Sequence, residues 1–369
     1  MRGCYGVAGR PAPEGGAFPQ PRQRSLARVP ARVPTVAIDA TEASAPSPRG
    51  WGRYVSELTE ALAQGGHGFD YRLLQGGGSG LEVLWEQIKL PRLLRADPPA
   101  LVHAPNCFLP LRRPCPGVVT IHDLAFEAHP ADFGRRTGLK YRWFTRRAAR
   151  SAERVIVDAA FTRDDLVARY GIDAGKVRVV PLAPSLPLGE DPLPASGPYL
   201  LAVGDLRAKK NLGRLVAAFR ALRAQGLAHR LVLAGADGGE AAALRAAAGD
   251  APLEITGYVS DGRLDALMRG AGALVHPSLY EGFGLPLLEA MARGVPVVAA
   301  RATSLPEAAG GAAHLFDPLD VSDIARAIGE VAGDEALRAR LTAAGRARAG
   351  ELSWERTARE TAAVYSELV

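Results

Sequence analysis

The sequence predicts an α/β protein built on two parallel sheets. Short apolar runs alternate with segments of helical periodicity along the chain, which is the pattern of parallel strands joined by crossover helices. The 369 residues exceed what one hydrophobic core usually supports, so two domains of ordinary size are expected. A proline-rich stretch divides the apolar runs into two series. We place the domain boundary in that stretch.

The first series contains four runs that are predicted to be buried strands, with a helical segment at 54–63 after the first of them. Six prolines from Pro181 to Pro198 then interrupt any regular element, which favours an interdomain linker. We therefore predict an N-terminal domain over 34–187. The four predicted strands lie at 35–39, 100–104, 117–121 and 154–158.

The second series has five runs, each followed by a helix-like sequence, and predicts a second parallel sheet in a domain over 188–352. Near the chain end, SWERTARETAAVY at 353–365 begins with Ser353 as a candidate N-cap and predicts an amphipathic helix. The five predicted strands lie at 199–204, 229–235, 252–258, 272–277 and 295–300.

Composition excludes several classes of protein. Apolar residues make up 47% of the chain and charged residues 23%, the balance of a globular protein. Three cysteines without CxxC spacing argue against a disulfide framework and a structural zinc site. No window approaches eighteen apolar residues, and the chain start lacks the apolar core of a secretory signal. We expect a cytoplasmic protein.

Basic residues are concentrated in the first half. Residues 1–190 hold 26 Lys and Arg against 18 Asp and Glu, whereas residues 191–369 hold 19 against 21. Part of the excess lies in a proline-rich tail, 1–33, that is predicted to be disordered. Another part is KYRWFTRRAAR at 140–150, which could contact an anionic membrane surface or a phosphate-bearing acceptor, or be only a solvated helix face. We expect no nucleic acid partner.

The segment PSLYEGFGLPLLEAMARG at 277–294 predicts an anion site. Gly282 and Gly284 let backbone N–H groups approach a ligand, and the helix that follows adds a partial positive charge. Glu281 and Glu289 bracket the turn, where carboxylates accept hydrogen bonds from sugar or ribose hydroxyls. The alternative is a plain glycine turn with Glu289 complementing the helix dipole.

The most unusual segments directly follow predicted strands. They lie at 121–124, 204–211 and 278–291. Because ligands of parallel sheets bind at the carboxyl ends of strands, we expect these segments to meet in one cleft.

The segment at 277–294 closely resembles the signature of the family-4 glycosyltransferases, retaining enzymes with two facing Rossmann-like domains (the GT-B fold). The resemblance extends from about 197 to 330 through VGDLRAKKNL, LVLAG, ITGYVSDGRL and SLPEAAGGAAHLFDP. The N-terminal half is similar to the mannosyl- and rhamnosyltransferase-like branch through GWGRYVSEL, VHAPNCFLPL, VVTIHDLAFEAHP and VVPLAP. It implies an interdomain cleft and a final helix, 353–369, that crosses back onto the N-terminal domain.

The resemblance implies roles for the residues of the signature. Glu281 falls on the first of the paired glutamates of the family, near the transferred sugar, and Glu289 on the second, near the nucleotide ribose. Backbone contacts to the donor are implied for Phe283, Gly284 and Leu285.

Lys210 falls on the phosphate-binding lysine of the family, where an ammonium would neutralise the departing diphosphate. A solvated surface lysine is the alternative. Many relatives have arginine where this chain has Asp205, and a carboxylate cannot hold phosphate. Arg207 and Lys209 are therefore candidates for a second phosphate contact.

His122 in TIHDLAF falls on a histidine at the reaction centre of the family. It ends a predicted strand and precedes Asp123, which could fix its tautomer; the alternative is a core histidine. GWGRY at 50–54 resembles the glycine-rich loop that reaches toward the donor phosphates, and we select Gly52 there.

The resemblance implies sugar transfer with retention and without a metal or other cofactor, the nucleotide sugar being a substrate. The acceptor proton would pass to the leaving phosphate or to a side chain. GDP-mannose is the favoured donor, ahead of rhamnosyl or glucosyl donors, and the acceptor is a glycan or lipid-linked glycan in surface polysaccharide biosynthesis. Peripheral contact with the inner face of the plasma membrane is compatible with the basic N-terminal half.

Two alternatives remain open. One is a sugar-nucleotide epimerase or a phosphorylase of the same architecture. The other is a catalytically silent binding module, suggested by Asp205 and by Ala159 and Ala160, where relatives often carry serine. The first strand lacks GxGxxG, which lowers the case for a dehydrogenase, and the chain has no DxD triplet for a metal.

Overall fold

The computed structural model describes residues 33–44, 50–76, 82–194 and 197–369. Within these ranges the chain forms two six-stranded parallel sheets with helices packed on them, which confirms the predicted α/β class. We call the parts built on the first and second sheets the N-terminal lobe and the C-terminal lobe. The predicted disordered tail lies, apart from Val33, outside the described residues.

The first sheet has the strand order β2-β1-β3-β4-β5-β6. Its strands are β1 (Thr35–Asp39), β2 (Asp70–Leu74), β3 (Leu101–Ala104), β4 (Gly117–Thr120), β5 (Arg154–Val157) and β6 (Val177–Val179). Its helices are α1 (Trp51–Gly65), α2 (Glu82–Leu84), α3 (Leu90–Ala96), α4 (Ala125–Ala128), α5 (Arg135–Ser151) and α6 (Ala160–Tyr170), with a π-helical turn at Trp85–Lys89.

The second sheet has the order β12-β11-β10-β7-β8-β9. Its strands are β7 (Tyr199–Val203), β8 (Arg230–Ala234), β9 (Leu253–Gly257), β10 (Ala273–His276), β11 (Val297–Ala300) and β12 (His314–Phe316). The helices of the second half are α7 (Leu212–Ala224), α8 (Ala241–Ala248), α9 (Asp261–Arg269), α10 (Leu285–Ala292), α11 (Leu305–Ala309), α12 (Val321–Gly333), α13 (Glu335–Gly350) and α14 (Trp354–Ser366).

Every run predicted as a strand contains a strand. Most of these runs are apolar on both faces, which suits strands of a sheet that helices cover on both sides. The exception is β9, an edge strand that exposes Glu254. Central strands such as β3, β4, β10 and β11 are buried at every position. The sequence did not reveal β2, β6 and β12. These strands lie at sheet edges, where they are short or half exposed and carry no continuous apolar run.

The strand order of the second sheet positions the site. It reverses between β7 and β10, so the crossovers leave these neighbouring strands toward opposite faces and open a crevice at their carboxyl ends. Lys210 follows β7 and Glu281 follows β10. Two segments far apart in sequence thus meet at this crevice.

The final helix, α14, lies against α1 of the N-terminal lobe. Ser353 caps it by accepting a hydrogen bond from the Arg356 N–H at 3.2 Å. The Trp354 indole donates to the Pro184 carbonyl at 3.2 Å, and the Glu367 carboxylate pairs with Arg154 at 2.6 Å. The end of the chain is thereby fixed to the first sheet. Among the described helices, none has the length and apolarity needed to cross a membrane.

Candidate active site

A cavity of about 380 Å³ lies between the lobes. Both lobes line it, mainly through segments that follow strands or begin helices. The lining residues of the N-terminal lobe include Gly50, Trp51, Arg53, Tyr54, His122, Asp123 and Asp158. Those of the C-terminal lobe include Gly204, Asp205, Gly235, Tyr258, Asp261, the stretch 281–286 and Glu289. The predicted common cleft therefore exists, and we call it the donor cavity.

Glycines shape the wall contributed by the C-terminal lobe. Gly284 has φ of 107°, a conformation that L side chains rarely adopt, and it precedes α10 directly. Gly282 lies so close to the other lobe that an added Cβ would stand 1.9 Å from the His122 carbonyl oxygen. Phe283, Gly284 and Leu285 all line the cavity beside the N-terminus of α10, which is the surface predicted to receive an anion.

Glu281 is ion-paired within its own lobe. Its carboxylate lies 2.6 Å from the Lys210 ammonium and 3.0 Å from His276 Nε2, and its N–H donates to the Thr303 hydroxyl at 3.1 Å. Burial favours the neutral acid, but Lys210 and His276 outweigh it and hold the pKa of Glu281 well below its usual value. The carboxylate is therefore ionised and fixed in position.

Glu289 is buried in a different environment. Its carboxylate lies 3.7 Å from the Arg53 guanidinium of the opposite lobe. Burial raises the pKa of Glu289, and Arg53 and Arg293 only partly oppose that rise. A carboxylate in this state gains from new donors such as ribose hydroxyls.

His122 lies on the opposite wall, after β4. Its Nδ1 is 2.7 Å from the Asp158 carboxylate and its Nε2 is 3.2 Å from the Pro105 carbonyl. Burial disfavours the imidazolium, but the charge and hydrogen bond of Asp158 and the hydrogen bond to Pro105 prevail and raise the pKa of His122. Both ring nitrogens face acceptors, so the doubly protonated ring satisfies both contacts.

Gly52 does not line the donor cavity. Helix α1 begins at Trp51, so Gly52 already lies in its first turn and is buried against the protein interior. Gly50, the N-cap, and Trp51 line the cavity in its place. The glycine of this segment that lines the cavity is therefore Gly50, and the predicted Gly52 lies behind it in the helix.

Arg207 and Lys209 also lie elsewhere, in a second cavity of about 610 Å³. The Arg207 guanidinium donates to the Asp132 carbonyl at 2.9 Å, and the Lys209 N–H donates to the Asp132 carboxylate at 3.0 Å. The second cavity shares Trp51, Asp123 and Asp205 with the donor cavity. Its other lining residues include Phe126, Phe133, Thr137, Tyr141 and Lys210.

Three charged residues of the donor cavity, Arg53, Asp158 and Asp261, were not predicted from the sequence. Asp158 directly follows β5, and its place at a strand end was the signal that could have drawn attention to it. Arg53 lies within the GWGRY segment that was singled out for its glycines. Its guanidinium is 2.6 Å from the Asp261 carboxylate across the cleft.

Further contacts join the lobes beside the cavities. The Tyr280 hydroxyl donates to the Asp165 carboxylate at 2.8 Å and accepts from the Leu124 N–H at 3.1 Å. The Glu307 carboxylate accepts from the Ala160 N–H at 2.8 Å, in the first turn of α6. The two walls of the site are thus in contact.

Two family models match the chain. The model described as "Glycosyl transferases group 1" matches residues 190–348, and "Glycosyltransferase Family 4" matches residues 71–183. The "O-antigen chain mannosyltransferase B" of Escherichia coli is 32% identical over 73% of this chain and 74% of its own length. The "MMP alpha-(1->4)-mannosyltransferase" of Mycolicibacterium hassiacum is 31% identical over 69% of this chain and 66% of its own length.

Solved structures show the same architecture. Sucrose-phosphate synthase from Thermosynechococcus elongatus superimposes with a TM-score of 0.71 and 24% identity, covering 91% of this chain and 99% of its own. WaaG, a glycosyltransferase involved in lipopolysaccharide biosynthesis, gives 0.65 at 17% identity, covering 90% and 99%. These likenesses support the two-domain GT-B fold.

Proposed function

This chain belongs to the family-4, group 1 glycosyltransferases, and from that premise we propose that it transfers mannose from GDP-mannose to a glycan acceptor. The observation that carries the proposal is the joint match to two mannosyltransferases over about 70% of the chain, with the signature glutamates lining one cavity. We further propose retention of the anomeric configuration and no metal or other cofactor, as the family resemblance implies.

The C-terminal wall supplies the groups that a nucleotide sugar needs. The N-terminus of α10 and the backbone at Gly284 would face the diphosphate, and the Lys210 ammonium would stabilise the charge that develops on it. Glu289 would accept from the ribose hydroxyls. Glu281, held by Lys210 and His276, would contact the sugar that is transferred.

The reaction exchanges one bond at the anomeric carbon. The bond from that carbon to the diphosphate oxygen breaks, and a bond to the acceptor hydroxyl oxygen forms. The acceptor proton passes to the departing phosphate oxygen, so the products are the glycoside and the nucleoside diphosphate. His122, whose pKa is raised, would place positive charge near the donor sugar from the opposite wall.

We place the acceptor in the second cavity. It adjoins the donor cavity through Trp51, Asp123 and Asp205, as an acceptor site must. The aromatic faces of Phe126, Phe133 and Tyr141 would stack on sugar rings, and nearby carboxylates would accept from hydroxyls. This chemistry fits the glycan acceptor that the name of the O-antigen relative indicates for that protein.

A lipid-linked acceptor would bring the enzyme to an anionic membrane surface. Helix α5 carries seven basic residues and no acidic one, and it exposes Leu139 by 64% and Trp143 by 48%. Basic groups beside an exposed aromatic side chain favour the interface of a membrane. We propose peripheral contact through α5 on the inner face of the plasma membrane, with the enzyme in the cytoplasm.

The test is a panel of nucleotide sugars, each added separately to the protein. Thermal shift measures binding of each nucleotide sugar, and a hydrolysis assay measures its turnover. We expect GDP-mannose to stabilise the protein and to be turned over. Lys210→Ala and Glu289→Ala should remove both effects, whereas Lys89→Ala and Glu335→Ala, on exposed helix positions, should retain them. A ligand at 100 times its Kd stabilises by about 2.7 kcal/mol, which a thermal shift resolves.

Each outcome of the panel has a defined meaning. Turnover of a different nucleotide sugar replaces mannose and keeps the transferase assignment. If no nucleotide sugar binds, the proposed donor site is wrong. Transfer to a mannose-terminated oligosaccharide, with the product configuration read by NMR, then tests acceptor class and retention.

A further inference from the structure

The described residues that line the donor cavity make it acidic. Six carboxylates line it, whereas Arg53 is the single lysine or arginine among its described lining residues. A nucleoside diphosphate would bring further negative charge into this space. The carboxylates are Asp123, Asp158, Asp205, Asp261, Glu281 and Glu289. To bind a diphosphate, the cavity must therefore supply positive charge.

The other candidate cations, Lys210, Arg207 and Lys209, are not among the described residues that line the donor cavity. The Lys210 ammonium is 2.6 Å from Glu281, whose charge it balances. Arg207 donates to Asp132 in the second cavity, and the Lys209 ammonium lies there too, 3.9 Å from Asp123. A second cation on the donor must come from another element.

Arg53 is placed to be that cation. It lies in the first turn of α1, a 15-residue helix whose N-terminal residues Gly50 and Trp51 also line the donor cavity. Its side chain is 18% exposed and crosses the cleft to Asp261 and Glu289, at 2.6 and 3.7 Å. A guanidinium has five N–H donors in a planar fork, which suits bidentate binding of phosphate.

We propose that Arg53 binds the diphosphate of the nucleotide-sugar donor from the N-terminal lobe. Its guanidinium supplies the second positive charge beside Lys210, and it leaves Glu289 free to accept from the ribose. Because Arg53 and α10 belong to opposite lobes, donor binding through both favours contact between the lobes. The inference rests on the proposed function and adds a residue to its donor site.

The alternative is a purely structural role, in which Arg53 only ties the two lobes together through its ion pair with Asp261. The two readings differ for the substitutions Arg53→Gln and Asp261→Asn. As a tie, both substitutions break the same 2.6 Å ion pair and have the same effect. As a phosphate ligand, Arg53 is needed for the diphosphate, whereas loss of Asp261 removes a competing anion.

The experiment is calorimetric titration of the full chain with GDP, GMP and guanosine, and with UDP, UMP and uridine. We expect Arg53→Gln to weaken binding of the nucleoside diphosphate by about 10- to 100-fold, the range for a charge-assisted hydrogen bond. Binding of the nucleoside should change by less than about threefold. Arg53→Lys should recover part of the loss, and Asp261→Asn should bind the diphosphate at least as tightly as the wild type.

Other outcomes overturn the inference in distinguishable ways. Equal losses for Arg53→Gln and Asp261→Asn, or an equal loss for diphosphate and nucleoside, assign Arg53 to the tie alone. Unchanged binding in Arg53→Gln removes it from the site while the proposed function stands. If the wild-type chain binds no nucleoside diphosphate, the proposed function fails and this inference fails with it. Arg163→Gln, at an exposed ion pair on α6, is the matched control.

Discussion

The two walls of the donor cavity hold their charges in different ways. On the C-terminal wall, Glu281, Lys210 and His276 satisfy one another inside a single lobe. On the N-terminal wall, Arg53 reaches across to Asp261, and the partner lobe therefore completes its ion pair. The C-terminal wall is preorganised before the lobes meet, whereas part of the N-terminal wall depends on their contact.

The same contrast separates the two signature glutamates, which lie at opposite ends of one short segment. The pKa of Glu281 is held low by Lys210 and His276 despite burial, and the pKa of Glu289 is raised by burial. Residue type and spacing are thus poor guides to the charge state. The Glu281 carboxylate is ionised and fixed beside a cation, whereas the Glu289 carboxylate would gain from a ligand that donates hydrogen bonds to it.

Glu281→Gln should produce the largest effect. Because it removes the fixed negative charge and strands the Lys210 ammonium, we expect donor turnover to fall by about 100-fold or more and the melting temperature to drop. Steady-state kinetics and thermal melts of this variant and of Glu335→Gln measure both. Full activity in Glu281→Gln would show that the ion pair is only structural.

Glu289→Gln should have a smaller effect and the opposite sign on stability. It keeps a carbonyl acceptor, so we expect donor affinity to fall by about tenfold. Because the folded-state pKa of Glu289 is raised, its ionised form is destabilising above the usual pKa of 4.5, and the melting temperature at neutral pH should rise or stay level. Parallel losses of stability in both glutamine variants would contradict the contrast between the walls.

Asp158→Asn tests the histidine of the N-terminal wall. The raised folded-state pKa of His122 contributes stability that is complete below the unfolded value of 6.5 and is lost as pH rises through the folded value. We therefore expect the melting-temperature gap between wild type and variant to narrow as pH increases above 6.5. A gap that stays constant across that range would show that Asp158 does not hold the proton on His122.

Tyr365→Phe should have the smallest effect and spare catalysis. It removes the 2.7 Å hydrogen bond between the Tyr365 hydroxyl and Nδ1 of His103, a neutral buried histidine whose pKa burial lowers to about 3. We expect a loss of about 1 kcal/mol in the free energy of unfolding and unchanged turnover. Tyr71→Phe is the control, since no hydrogen-bond partner is found for that buried hydroxyl among the described residues, and it should cost nothing.

The sequence allowed the class of fold and most strands to be predicted, because central parallel strands carry continuous apolar runs. Edge strands such as β2 were not predicted, since their half-exposed residues do not form a continuous apolar run. The C-terminal wall was predictable too, because Glu281, Gly284 and Glu289 lie together in one segment.

The N-terminal wall was harder to predict, because its residues come from several segments and act through contacts that only folding creates. Nothing in the sequence pairs His122 with Asp158, 36 positions later, or Arg53 with Asp261. The engagement of Arg207 with Asp132 likewise depends on the approach of the lobes. Local motifs identify candidate charges, and the tertiary fold decides which cavity each one faces.

The close approach of Gly282 to the His122 carbonyl also fixes the distance between the two walls of the site when the lobes are in contact. Main-chain atoms meet there, where even one methyl group would not fit. The width of the gap is therefore set by covalently fixed backbone and not by side chains that can change rotamer. Each time the lobes come together, the sugar and the attacking hydroxyl would be presented at the same separation, whichever rotamers the surrounding side chains adopt.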